Sequence, residues 1–175
     1  MISFNVFLDR DRLPAAADWA RVIREGGFET QLDTGFDPRS YSGYLPCPDD
    51  RTGFEFYLEA FDAPTDEIGE DGAKVIGARN AVVSLRFSGR DSDRAAATAA
   101  AATLAAMTDG ILFDTESGHF IAASEALAWA RNEKYQPVAV RRRRFNRRRA
   151  RLTPSMIVRL LVILALAAMV FWLRK

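Results

Sequence analysis

The amino-acid sequence predicts an α+β domain, an antiparallel sheet with helices on one face, followed by one C-terminal transmembrane helix. Three observations support this prediction. Short segments alternate apolar with polar residues, longer segments repeat apolar residues at helical spacing, and an apolar run near the carboxyl end is long enough to cross a bilayer. At 175 residues, the chain has room for one ordinary domain and an appendage.

Half-buried strands are predicted where apolar side chains recur at every second residue, because successive side chains of a strand point to opposite faces. Four segments show this alternation. The sets expected to face the core are Ile2, Phe4, Val6 and Leu8; Phe28, Thr30 and Leu32; Phe54, Phe56, Leu58 and Ala60; and Ala81, Val83, Leu85 and Phe87.

Two helices are predicted between these strands and after them. The first begins at Pro14 and ends at Gly26 or Gly27, since proline suits the first turn of a helix and glycine its end. Its apolar stripe comprises Ala16, Trp19, Ala20 and Ile23. The second begins at Asp91 or Ser92 and runs through an Ala-rich stretch to Gly110, and its small side chains favour a close approach to the sheet.

The end of the domain is predicted as a hairpin and a last helix. The segments ILFD (111–114) and HFIA (119–122) are short strands joined by TESG, and Ser124 is expected to cap a helix over 125–133. The resulting order of elements over residues 1–133 is similar to the ferredoxin-like split β-α-β arrangement. This resemblance implies a fold and no activity.

Two long loops, 34–52 and 62–75, interrupt this order, and their length makes them candidates for binding.

The apolar run Ser155–Leu173 has 19 residues, and its only charge is Arg159. At about 1.5 Å per residue it reaches roughly 28 Å, which matches a bilayer core. Arg159 can extend toward lipid phosphates, and Trp172 suits the opposite interface. The predicted organisation is therefore a domain over 1–134, an Arg-rich juxtamembrane linker over 135–154 and a transmembrane helix over 155–173.

Charge indicates the orientation of this helix. Residues 1–134 contain 13 basic and 23 acidic side chains, a net charge of −10, whereas 135–175 contain 11 basic side chains and no acid. Basic residues concentrate on the cytoplasmic side of a span, so the N-terminal domain is expected in the cytoplasm. The arginines before the span are Arg141, Arg142, Arg143, Arg144, Arg147, Arg148, Arg149 and Arg151.

Anionic lipid is the expected partner of these arginines, since a polybasic segment beside a membrane is attracted to its headgroups. Nucleic acid and the acidic domain itself are the alternatives. The amino terminus has no basic signal-peptide region, so a tail-anchored, single-pass protein is expected. The prevalence of Arg over Lys and the abundant Ala favour a bacterial inner membrane.

Few residues are of the types that commonly bind metals or carry out catalysis. His119 is the only histidine, and it lies near Asp109, Asp114 and Glu116 without the spacing of a known metal motif. Cys47 is the only cysteine, which excludes an intramolecular disulfide, and Asp49 and Asp50 oppose its ionisation. The sequence thus predicts no catalytic residue, no metal and no cofactor.

A partner surface is predicted on the sheet face away from the helices. One strand places Glu55, Tyr57, Glu59 and Phe61 there, and the predicted strand at 28–32 adds Glu29 and Asp33. Acids mixed with aromatics suit a protein partner that carries a basic patch.

The predicted function is therefore a non-enzymatic binding or regulatory domain, and an immunity-type protein that neutralises a toxin is one form. The alternative is a membrane-tethered enzyme whose site lies in the 34–52 loop and the 109–119 region.

Overall fold

The computed structural model describes residues 2–47, 52–62 and 68–138. Six strands and four α-helices follow one another along these residues. They are β1 (Ile2–Leu8), α1 (Ala16–Glu25), β2 (Gly43–Pro46), β3 (Gly53–Ala60), α2 (Gly69–Ile76), β4 (Ala81–Phe87), α3 (Asp91–Thr108), β5 (Ile111–Asp114), β6 (His119–Ala122) and α4 (Ala123–Ala130). The predicted α+β class is confirmed.

All six strands form one antiparallel sheet with the order β2-β3-β4-β1-β5-β6. The first strand of the chain therefore lies inside the sheet, between β4 and β5. Because every neighbouring pair is antiparallel, β1 and β3 run in the same direction with β4 between them. In the same way, β4 and β5 run in the same direction with β1 between them. In each of these two pairs, the chain passes from one strand to the other across the strand that lies between them.

The prediction of a strand at Phe28, Thr30 and Leu32 is wrong, since this segment is irregular. Its apolar side chains are nevertheless covered, and Leu32 belongs to the core beneath the helices. The alternating apolar side chains of residues 28–32 thus indicate burial, although this segment pairs with no strand. The missing strand is replaced by β2, which lies inside the predicted 34–52 loop, and α2 lies largely inside the predicted 62–75 loop.

The first face of the sheet is covered by α1, α3 and α4 and holds the main core. Trp19 of α1 is fully buried there, and its indole Nε1–H lies 3.1 Å from both the Ala100 carbonyl and the Thr103 hydroxyl of α3. Most alanines of α3 are buried because the sheet lies on one side of this helix and α1 and α4 flank it. Small side chains therefore let α3 pack closely among these elements.

The second face of the sheet is covered in part by α2, and the prediction that helices lie on one face alone is wrong for this helix. Ile76 of α2 packs in a separate apolar cluster with Phe7, Ile111, Phe113 and Phe120 of the sheet. Gly72 lets α2 approach closely, since a Cβ atom there would lie 2.8 Å from the ring of Phe120.

The chain beyond α4 returns to the sheet. The Val138 N–H donates to the Phe120 carbonyl at 2.7 Å, and the Val138 side chain joins the cluster of the second face. Contacts of the domain thus continue past the predicted boundary at residue 134. α4 itself begins one residue before Ser124, and no side chain caps it.

Among residues 2–47, 52–62 and 68–138, no helix has both the length and the apolar character needed to cross a membrane. The predicted span over 155–173, with Arg159 and Trp172, and the arginines of 141–151 lie outside the described residues.

Candidate functional site

A mixed aromatic and charged surface occupies the second face where β2, β3 and β4 lie side by side. We call it the sheet patch and define it as Tyr44, Glu55, Tyr57, Glu59 and Arg86. In the strand register, Glu55 lies between Tyr44 and Arg86. Tyr44 is 46% exposed and is the only large hydrophobic side chain in the described part of the chain with such exposure. The patch therefore presents aromatic area to solvent.

Contacts within the sheet patch hold its side chains in place. The Arg86 guanidinium carbon lies 4.6 Å from the centre of the Tyr57 ring, within the range of a cation–π interaction. The Tyr57 hydroxyl donates to Glu55 Oε2 at 3.3 Å. Glu59 is exposed, whereas Glu55, Tyr57 and Arg86 are half-buried. The surface thus combines an ordered aromatic centre with carboxylates that remain accessible.

The residues predicted for a partner surface are brought together only in part. Glu55, Tyr57 and Glu59 share the face away from α1, α3 and α4, and Phe61 lies on the same side. Phe61 packs edge-on against Phe7 with ring centres 4.9 Å apart, so it belongs to the apolar cluster rather than to the exposed patch. The sequence pattern did not identify Tyr44, because β2 is short and lies in a loop rich in Gly, Pro and Asp.

The two acids expected from the strand at 28–32 do not reach this face. Glu29 lies in an irregular segment and lines a cavity on the helix side of the sheet. Asp33 lies in the same segment and accepts a hydrogen bond from the Gly35 N–H at 2.8 Å. That prediction was wrong because it depended on the strand that does not form.

The acids around His119 serve a tight turn and an ion pair. Asp114 accepts hydrogen bonds from the Glu116 N–H at 2.9 Å and the Ser117 hydroxyl at 2.7 Å. Glu116 binds Arg94 at 2.7 Å, and this hydrogen bond and charge lower the pKa of Glu116. His119 is exposed. No group of three or more His, Cys, Asp or Glu in the described ranges is placed to hold a metal ion.

The strands β2 of the 34–52 loop and β5 of the 109–119 region are not neighbours in the sheet. Cys47 follows β2 and is 7% exposed, whereas Asp114 ends β5. Three strands separate β2 from β5, and at about 4.8 Å per strand spacing the two lie roughly 19 Å apart. Asp109 is farther along, at the opposite end of β5, where it pairs with Arg12 at 3.6 Å.

The helix side carries an open cavity of about 570 Å³ beside the first turns of α3. Its walls include Phe28, Arg94 and Trp129, and Glu29 and Asp91 also line it. We call this cavity the α3 groove. It lies on the face opposite the sheet patch, because Phe4 and Trp129, which line it, belong to the core of the first face.

Together these features describe a small α+β domain with two separate surfaces that combine aromatic rings and carboxylates. Comparison of the chain with models of protein families, with curated proteins and with solved structures finds no significant match.

Proposed function

We propose that the protein is a tail-anchored, single-pass protein of a bacterial inner membrane, and that it presents a non-enzymatic binding or regulatory domain to the cytoplasm. The observation that carries this proposal is the sheet patch. Exposed Tyr44 and the stacked Tyr57 supply contact area, and Glu55 and Glu59 supply charge that selects a basic partner. An immunity-type protein that neutralises a basic toxin is one form of such a domain.

The membrane part of the proposal is supported by the sequence. The 155–173 segment has the length and apolar character of a span, and the arginines of 141–151 favour anionic lipid on the cytoplasmic side. Within the domain, we propose that β3, β4, β1 and β5 with α1 and α3 are a ferredoxin-like core, since β1 and β3, like β4 and β5, are connected across an intervening strand. The edge strands β2 and β6 extend that core.

Binding is favoured over catalysis by the positions of the acids. The two segments expected to form one catalytic site lie on strands separated by three others. The carboxylate of Asp114 accepts two hydrogen bonds within its own turn, and Glu116 is paired with Arg94. These groups stabilise local structure, whereas the sheet patch keeps accessible groups on a rigid scaffold.

Photo-crosslinking in cells tests the proposal. The full chain carries p-benzoylphenylalanine in place of Tyr44, which retains an aromatic side chain at an exposed position. We expect an adduct with a cytoplasmic protein, recovered in the membrane fraction and protected from protease in intact spheroplasts. The double change Glu55→Lys with Glu59→Lys should abolish it, because it reverses the charge offered to a basic partner.

The same photo-reactive residue in place of Asp18, which is exposed on α1, is the matched control and should give no such adduct. An adduct that survives the charge reversal would contradict a basic partner, and its absence at Tyr44 would contradict the patch. Glu59 is exposed, so its reversal should alter stability by only about 0.5 kcal/mol. Glu55 is half-buried, so circular dichroism of the double variant must show a folded domain before lost crosslinking is attributed to charge.

A further inference from the structure

The α3 groove is an open cavity with a floor of small side chains and aromatic walls. Ala95, Thr98 and Ala99 of α3 line it together with Phe28, which follows α1, and Trp129 of α4. A second cavity of about 370 Å³ shares Glu29, Thr30 and Ala95 with it, so the two cavities adjoin. A volume of about 570 Å³ lies within the range of roughly 300–1,000 Å³ that is usual for ligand pockets.

The aromatic rings around the groove already contact guanidinium groups of the chain itself. The Arg131 guanidinium carbon lies 5.9 Å from the centre of the Phe28 ring. The guanidinium carbon of Arg94, which also lines the groove, lies 5.5 Å from the centre of Phe87, a ring outside the groove lining. Trp129 is half-buried and is perpendicular to Phe4, with ring centres 5.1 Å apart. Flat rings in this setting are favourable partners for a planar cation.

The charge of the groove is negative. Glu29, Asp91 and Asp114 line it together with Arg94, and Arg131 lies against Phe28 beside it, so three acids face two bases. Arg94 is neutralised by its ion pair with Glu116. The hydrogen bond that Arg94 donates to this glutamate raises the pKa of Arg94, and the charges of Glu116, Asp114 and Asp91 raise it further. Within the described part of the chain, neither Glu29 nor Asp91 takes part in an ion pair.

We propose that the α3 groove binds an arginine side chain of a partner peptide. The guanidinium lies against Trp129 and pairs with Glu29 and Asp91, and the adjoining cavity receives the flanking peptide residues. Arginine suits this groove because its planar cation combines stacking on a ring with hydrogen bonds to carboxylates. The groove and the sheet patch lie on opposite faces of the sheet, so the proposal for one surface can be wrong while the proposal for the other holds.

The test uses the full chain in zwitterionic detergent micelles, which accommodate its apolar 155–173 segment without adding net charge. The probe is the peptide acetyl-Gly-Arg-Gly-amide, and its twin carries citrulline, which keeps the shape of arginine without its charge. Binding is followed by nuclear magnetic resonance at the Trp129 indole N–H and the Glu29 amide. We expect saturable shifts with the arginine peptide, weaker binding at higher salt and no binding of the citrulline peptide.

Variants locate the binding. Glu29→Gln with Asp91→Asn should weaken it about tenfold, since two exposed ion pairs together are worth roughly that factor. Asp62→Asn with Glu70→Gln removes the same charge at exposed positions elsewhere and should leave the affinity unchanged. Trp129→Phe, which keeps an aromatic wall, should bind more weakly than the wild-type chain and more tightly than the charge-neutralised variant.

Four results would overturn the proposal. These are no binding of the arginine peptide, equal binding of the citrulline peptide, equal losses in the two charge-neutralised variants, and tighter binding of agmatine than of the peptide. The last result would show that the guanidinium comes from a small molecule rather than a peptide. None of these results depends on whether the sheet patch gives a crosslink in cells.

Discussion

The two faces of the sheet are built from the same strands and are covered to different extents. On the first face, α1, α3 and α4 enclose a continuous core in which Trp19 and Phe56 are fully buried. On the second face, the eight-residue α2 covers only the apolar cluster around Phe7 and Phe120, and the sheet patch stays accessible. Along β3, alternate residues are thus either buried in the first core or placed in the sheet patch.

The largest expected effect on stability comes from a change in the core of the first face. Trp19→Ala removes a fully buried ring and leaves the Ala100 carbonyl and the Thr103 hydroxyl without its indole N–H. We expect the free energy of unfolding to fall by about 4 kcal/mol, because a large cavity forms in the core. Urea denaturation followed by circular dichroism measures this loss.

Tyr44→Ala is the matched change on the second face and should cost no more than about 0.5 kcal/mol, since this residue is 46% exposed. Equal losses for the two aromatic residues would show that stability is shared evenly by the faces, which would contradict the comparison.

A smaller effect concerns the pH dependence of stability and a buried carboxylate on the first face. Asp93 of α3 is 2% exposed and accepts hydrogen bonds from the Gly53 N–H at 3.2 Å, from Arg90 Nε at 2.9 Å and from the Ser88 hydroxyl. Burial alone would raise the pKa of Asp93, but these three hydrogen bonds outweigh it and lower the pKa from its ordinary 3.8. The carboxylate thus links α3 to the sheet.

Because this pKa is lower in the folded state, the carboxylate contributes its full stabilisation above the ordinary pKa, and the contribution is lost as pH falls below about 4. Asp93→Asn should cost about 2 kcal/mol at pH 7 and give a shallower loss of stability in acid. Urea midpoints between pH 7 and pH 3 measure both. Asp91→Asn, at an exposed neighbour, is the control, and an unchanged acid slope in Asp93→Asn would refute this role.

An effect smaller than that of Asp93→Asn concerns α2 on the second face. In Gly72→Ala the added methyl group would lie 2.8 Å from both Phe120 Cζ and Ile68 Cγ2. Overpacking typically costs about 2 kcal/mol and alanine recovers about 1 kcal/mol of helix propensity, so a net loss of about 1 kcal/mol is expected. Thermal unfolding measures it. A gain in stability would show that α2 does not pack tightly on the sheet.

The sequence predicted a strand or helix correctly where the spacing of its buried side chains matches the period of its backbone. β1, β3 and β4 were predictable because each contributes alternate residues to the first core, and α1 was predictable from the stripe around Trp19. Phe28 and Leu32 have the same spacing as a strand but lie in an irregular segment, because packing beneath helices needs no ladder of hydrogen bonds. β2 and α2 are short and glycine-containing, and tertiary contacts specify them more than local propensity does.

The sheet patch was predictable in part for the same reason. Strand alternation places Glu55, Tyr57 and Glu59 on one side, but only the register across β2, β3 and β4 reveals that Tyr44 and Arg86 join them. The α3 groove had no sequence signal, since Phe28, Asp91 and Trp129 are far apart along the chain and meet only through the packing of α1, α3 and α4.

The interior position of β1 governs the order in which the chain can fold. Its residue Leu8 pairs with Ala81, and Phe4 pairs with Asp114, so both neighbours of this strand come from the second half of the domain. During synthesis β1 therefore has no native partner until β4 has emerged, and the sheet cannot close before β5 follows. Such distant pairings slow folding and leave an apolar strand with free edges during that interval. β1 thus acquires its two neighbouring strands only after residue 114 has been added to the chain.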